Sequence, residues 1–253
     1  MNGKGEESRA QAIEKKLEND MLQLSVTLQK REAGKNISDI YDANFEDGSK
    51  AIFKPDAQHW EKDRSYADLA SLESEVVTRL FAEQTEGLIN VPVTVNREVD
   101  SLKGILSRFT SFLGNWKDEF LGQINESMMV LHLFDYLIGN MDRHRGNIGF
   151  WYVGEGVDQY GGLVAFDHGA AFVRPRGLQG QHPPANPKII MRQKENRLIP
   201  SFIRILETKL TEEKIREIMQ GRFGPDHDWI LEKTLERRRH IIDAFYEAGS
   251  PEI

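Results

Sequence analysis

The sequence predicts an α+β chain of two lobes, a small β-rich lobe first and a larger, mainly helical lobe second. Three observations predict it. Short runs of period-two alternation broken by turn residues fill 21–109, apolar residues at helical spacing dominate after Phe112, and one hairpin with polar residues at both ends interrupts the helical half. A β-rich half followed by an α-rich half implies packed lobes with a cleft between them. The divisions expected are 1–20 as an N-terminal helical extension, 21–110 as the first lobe and 111–253 as the second.

Residues 6–20 read as a charged helix. Leu22, Leu24, Val26 and Leu28 then alternate with polar residues, the mark of a half-buried strand. After a loop holding Gly34, residues 40–45 and 50–54 read as two strands joined by a Glu46-Asp-Gly48 turn, and Pro55 ends the second. Residues 56–67 look like a polar loop. A helix over 68–84 is expected from Leu69, Leu72, Val76, Val77, Leu80 and Phe81. Residues 91–95 and 104–109 read as strands. The stretch 125–139 is an apolar helix with a core stripe of Met128, Met129, Leu133 and Tyr136, and it carries His132 as a core histidine. Strands are expected at 148–153 and 163–166, and helices near 201–208, 211–220 and 226–247. Residues 173–200, with five prolines, read as irregular.

The chain has 253 residues, 33 Lys+Arg against 40 Asp+Glu, and no cysteine. Zero Cys excludes a disulfide framework, thiolate zinc sites and thiol catalysis, and is compatible with a reducing cytosol. The net charge of −7 argues against a protein that coats nucleic acid or anionic membrane. Residues 1–20 hold no apolar run for a secretory signal, and no apolar stretch is long enough for a transmembrane segment. The charge is uneven: 173–200 carries six basic residues and one acidic, so the rest of the chain sums to −7 − 5 = −12. Arg237-Arg-Arg239, on a mixed-charge helix, reads as a solvated face. His59, His182, His227 and His240 share no metal-ligand spacing.

The chemistry gathers around the hairpin. Asp142 and Asn147 enter its first strand and Asp167 leaves its second, so Asn147 and Asp167 are expected to meet. One Asn and one Asp oxygen suit a hard cation such as Mg²⁺, which fills its shell with water and phosphate oxygens. Asp142 is offset from that site, placed to take a proton from a hydroxyl nucleophile. This is phosphoryl-transfer chemistry, which works by positioning and by neutralising charge. It needs a cation on the nucleotide phosphates. Lys54, at a strand end, with Glu75 on the following helix supplies one, and Glu73 is the alternative partner.

Leu137-Ile-Gly-Asn-Met-Asp-Arg-His-Arg-Gly-Asn147 followed by Phe166-Asp-His-Gly169 resembles the D-R-H-x-x-N and D-x-G motifs of phosphatidylinositol 3-/4-kinases. It is also similar to HipA-type kinases and to secretory-pathway kinases of the Golgi casein kinase type. Asp47–Pro55, Ser74-Glu-Val-Val77 and Val91-Pro-Val-Thr94 look like the order of elements in type II phosphatidylinositol 4-kinases and HipA. The likeness covers about residues 21–170. It implies a two-lobed protein-kinase-like fold using ATP with Mg²⁺ or Mn²⁺. By that resemblance Asp142 is the catalytic base, His144 a second group at the transferring phosphate, and Asn147 and Asp167 the metal ligands. Lys54 contacts the α/β-phosphates, held by Glu75, and the backbone of Leu106, Ser107, Arg108 and Phe109 forms the adenine hinge. The phosphate loop departs from the ordinary kinase pattern: it has one glycine, Gly34, with Ser38 or Asn36 to help cover the phosphates. Absent Cys, and Asn147 where the secretory kinases carry Glu, set the chain apart from that branch.

The function expected is transfer of the ATP γ-phosphate to a hydroxyl, with Ser/Thr of a protein first. A phosphoinositide kinase, a nucleotide-binding pseudokinase and a nucleotidyltransferase are the alternatives. The basic stretch 173–200 is the expected seat of a protein substrate or phosphoinositide head group, or else a solvated loop paired with the acidic remainder. A cytoplasmic protein is expected, or one delivered to a host cytosol.

Overall fold

The computed structural model describes residues 15–31, 40–56, 72–108, 114–115, 125–152, 160–172, 185–192 and 196–249. Ser38, Phe109, the polar loop over 57–67 and most of the basic stretch lie outside them.

Five antiparallel strands build the first lobe: β1 (Val26–Lys30), β2 (Tyr41–Phe45), β3 (Lys50–Pro55), β4 (Val93–Val99) and β5 (Leu102–Arg108), in the order β1-β2-β3-β5-β4. The β2–β3 turn forms because Gly48 accepts a φ of +79° and the Asp47 carboxylate accepts the Ser49 N–H at 2.8 Å. The β4–β5 turn is Asp100-Ser101, both at positive φ, with Val99 opposite Leu102, which is the twist a two-residue hairpin requires. Alternation puts Ala43, Phe45, Ala51, Phe53, Val93, Val95 and Leu106 on one buried face.

A helix, α1 (residues 15–23), covers that face with Leu17 and Met21. The first strand therefore starts at Val26, not at Leu22. The Arg97 guanidinium donates to Met21 O at 2.6 Å and to Leu24 O at 2.8 Å, satisfying carbonyls at the helix end, and Leu22 is left exposed.

Between β3 and β4 lies α2 (Leu72–Glu83). Its Val77, Phe81 and Ala82 belong to the hydrophobic core of the second lobe, with Leu133, Phe134 and Leu137 of α3 (Asn125–Ile138). A two-residue strand β6 (Gly114–Asn115), which the sequence does not signal, adds to the hairpin β7 (Ile148–Tyr152) and β8 (Tyr160–Ala165).

Residues 173–200 are not wholly irregular. Pro187 opens a short helix, α4 (Pro187–Ile190), capped by the Asn186 side chain, and α5 (Leu198–Thr208) starts before Pro200, which its first turn tolerates. Then come α6 (Glu212–Met219), capped by Thr211, and α7 (His227–Glu247). The arginine run on α7 is more than a solvated face. Arg238 donates to Leu206 O in the last turn of α5 and to Leu210 O just beyond it, and the Arg237 guanidinium lies over Gly139. Burial holds the Arg237 pKa below its ordinary value. None of the helices among the described residues is long and apolar enough to cross a membrane.

Candidate active site

Lys54 leaves β3 toward the cleft while its neighbour Phe53 fills the core on the other face. Its Nζ donates to Glu75 Oε1 at 2.9 Å and to Asp167 Oδ1 at 3.0 Å. Three residues distant in sequence, one from each of β3, α2 and the segment after β8, thus meet at one cation. Glu75 makes this pair. Glu73 faces elsewhere and accepts the Phe223 N–H at 2.8 Å. Burial alone would lower the Lys54 pKa, but the carboxylates of Glu75 and Asp167 outweigh it and raise it above the ordinary value. Burial likewise pushes Glu75 up, and the Lys54 ammonium overrides it and holds the carboxyl well below the usual range. Both stay charged.

His168 lies beneath this pair, fully buried, with Nδ1 3.6 Å from Glu75 Oε2. Burial first, then the nearby Arg143 charge, lower its pKa, so the ring is neutral at pH 7. Its Nε2 is buried without a hydrogen-bond partner among the described residues.

The β7–β8 hairpin is built on a buried charge pair. Arg143 Nε and Nη2 grip Asp135 at 2.9 and 3.0 Å. Its Nη1 donates to Asn147 O at 2.7 Å and to Phe166 O at 2.8 Å. Phe166 N donates to Asn147 O at 3.2 Å, so the two ends of the hairpin close on each other. One guanidinium therefore fixes the residue before Asp167 and the backbone of Asn147 relative to α3. Asp135 and Asn140, whose amide donates to Asp135 Oδ1 at 3.0 Å, are absent from the sequence-derived site. An acid in the apolar second half of the helix was the available signal, since a buried carboxylate requires a partner.

Asp142 follows, its N–H held by Asn140 Oδ1 at 3.2 Å and its carbonyl by Asn147 Nδ2 at 2.9 Å. That bond commits the Asn147 Nδ2, leaving Oδ1 as the amide atom for a cation. Gly146 N–H donates to His144 Nδ1 at 3.0 Å. In the neutral ring the proton therefore sits on Nε2, which lies 3.9 Å from Asp142 Oδ2. The close approach needs Gly146: a Cβ there would meet the His144 ring at 2.7 Å. Asp167 is half exposed and has φ +56°, a left-handed conformation that Asp tolerates better than most residues.

Leu106 points into the sheet core and Ser107 Oγ lies 3.1 Å from Thr94 Oγ1. Both residues pair with β3 on one side and β4 on the other, so the sheet takes their backbone groups and they do not form an open adenine hinge. Arg108 ends β5. Among the described residues no three His, Cys, Asp or Glu side chains are grouped to hold a metal. The donors present, one carboxylate and one amide oxygen, fit a cation that takes most of its shell from phosphate and water.

No protein-family model and no curated protein sequence matches the chain. Solved structures do. The chain is similar to the Helicobacter pylori proinflammatory kinase CtkA, with TM-score 0.57 and 14% identity over 90% of this chain and 96% of that one. It is also similar to the Golgi casein kinase, with TM-score 0.56 and 15% identity over 95% of this chain and 78% of that one. At such identity the likeness is one of fold: the chain has a two-lobed kinase-like architecture, with a five-stranded antiparallel sheet over a helical lobe.

Proposed function

We propose that the cleft transfers the γ-phosphate of ATP to a hydroxyl group, on a Ser or Thr of a protein. The observation that carries the reading is the convergence of Lys54, Glu75 and Asp167 at 2.9 and 3.0 Å beside a hairpin that presents Asp142 and Asn147. Two kinases with the same fold support it, and the casein kinase among them supports a protein acceptor. The motif order supports a place in the phosphatidylinositol 3-/4-kinase-like and HipA-like superfamily. The composition, free of Cys, supports a cytosolic setting, the producing cell's or a host's.

Lys54, kept charged by two carboxylates, binds the α/β-phosphates. Glu75 fixes it, so that little reorganisation is left for the moment of transfer. Asn147 Oδ1 and the Asp167 carboxylate would hold Mg²⁺, which when bound neutralises charge on the transferring phosphate. The Asp142 carboxylate takes the acceptor's proton as the acceptor oxygen bonds to the γ-phosphorus. The bond from that phosphorus to the β-γ bridging oxygen breaks, and ADP leaves with its electrons. His144 Nε2, 3.9 Å from Asp142 Oδ2, is a second group for the transferring phosphate or the acceptor's proton.

The test is incubation with γ- or α-labelled ATP and Mg²⁺, with the protein itself, casein and phosphoinositide vesicles as acceptors. The proposal expects γ-label on protein. Label on lipid alone would replace the acceptor, and α-label would make the chain a nucleotidyltransferase.

A further inference from the structure

The first turn of α2 is fastened to the second lobe by residues that have no part in holding Lys54. Ser74, fully buried, donates Oγ–H to Ala171 O at 2.7 Å across the cleft. A serine inside a helix ordinarily bonds back to its own helix or to water, so a bond to another lobe is informative. Its neighbour Glu73 accepts the Phe223 N–H at 2.8 Å and lies 3.6 Å from the Arg222 guanidinium. Three consecutive residues thus bind three separate places: Glu73 the turn after α6, Ser74 the segment after Asp167, and Glu75 the cation Lys54.

The anchors are themselves fixed. Ala171 lies between Ala170, whose carbonyl takes the Met141 N–H at 3.3 Å, and Phe172, whose N–H donates to Ile138 O at 2.8 Å. Phe172 and Phe223 are both bulky residues at positive φ, +55° and +63°, a conformation kept only where the surroundings impose it. Their rings are 5.4 Å apart, and Phe172 meets Phe81 of α2 edge-on at 5.5 Å. In the connection from α2 to β4, Ala165 N donates to Asn90 O at 2.9 Å and Asn90 Nδ2 to Leu163 O at 3.2 Å. The first turn of α2 is therefore tied to the second lobe by one acceptor, Ala171 O, and one donor, Phe223 N–H.

We propose that Ser74 and Glu73 are positioning residues for the phosphate-binding pair. They hold α2 so that Glu75 stands over Asp167 and Lys54 bridges the two. The anchors are a backbone carbonyl and a backbone N–H of the second lobe. The inference rests on the kinase reading above. It goes beyond it by assigning the placement of Lys54 to contacts outside the phosphate site.

The experiment compares Ser74→Ala, Glu73→Ala and Glu73→Gln with the wild type, by steady-state kinetics and by hydrogen exchange of the α2 amides. Loss of either anchor lowers kcat/KM about tenfold through both ATP KM and kcat, since each removes a buried bond from the site's scaffold. The acceptor's KM stays within about twofold, as no acceptor group is touched. Glu73→Gln, whose amide oxygen still accepts the Phe223 N–H, retains most of the activity. Exchange quickens at the start of α2 and not in α7. Wild-type kinetics in both alanine variants, or a loss in Glu73→Gln equal to that in Glu73→Ala, would overturn the proposal. So would faster exchange spread evenly over the chain, which marks a general loss of stability. If the wild type transfers no phosphate, the functional reading fails on its own, and the exchange measurement still decides the clamp.

Discussion

At the scale of single residues, the site divides into groups that meet the substrate and groups that hold them. In the proposed reaction Asp142 is of the first kind. Asp142→Asn keeps its size and backbone bonds but cannot take the proton, so transfer falls by about 10²–10⁴, while nucleotide binding, followed by fluorescence or calorimetry, changes little. Asp135 is of the second kind. Asp135→Ala leaves Arg143 buried and unpaired and costs about 3–5 kcal/mol of stability, measured by denaturant unfolding. Glu75 has a pH signature. Its carboxyl is depressed in the folded state, so its contribution is complete above the ordinary value of 4.5 and is lost as pH falls below it. The stability gap between wild type and Glu75→Gln is therefore constant near neutrality and narrows below about pH 4.5. A gap that widens on acidification would contradict the Lys54–Glu75 assignment.

Among the elements, β3 and β5 set the position of Lys54. Gly104 lies where any Cβ would meet Lys54 O and sit 2.7 Å from the Phe53 ring. Gly104→Ala must push the two strands apart, at a cost of about 1–3 kcal/mol, and it moves the residue that carries the cation. Nucleotide affinity should fall along with the melting temperature. Gly48→Ala, in open space at φ +79°, costs stability alone. The pairing of elements explains what the sequence could and could not convey. The strands around Gly48 were legible because alternation and the turn residue agree. The Asp100-Ser101 turn was not, because Ser101 takes positive φ without the glycine that usually marks such a turn. The start of β1 was misplaced because Leu22 and Leu24 fit a strand's period equally well, and only Arg97, 73 residues on from Leu24, settles where the helix ends. Short α4 was hidden by prolines that read as breakers, although Pro187 is in fact its first residue.

For the molecule as a whole, the two lobes share more than a cleft. The sheet has its own core, closed by α1, whereas α2 lends its apolar face to the core of the helical lobe. The motif residues were legible at this scale because a hairpin joins its ends, which put Asn147 beside Phe166 and Asp167. The supports were not legible. Ser74, Glu73 and Asn140 act through contacts across long sequence separations, and nothing in their local pattern names the partner. The charge polarity of the chain is partly answered within it, since Lys188 of the basic stretch pairs with Glu247 at 2.7 Å. The central claim is that one cleft binds ATP with Mg²⁺ and passes on its γ-phosphate. Its most direct measurement is the rate of γ-label transfer to casein by wild type, Asp142→Asn and Asp167→Asn, with nucleotide affinity determined in parallel. The account predicts transfer by the wild type alone, with binding kept in Asp142→Asn and weakened with Mg²⁺ in Asp167→Asn. Undiminished transfer by either variant, or a wild type that binds ATP and transfers none, would contradict it.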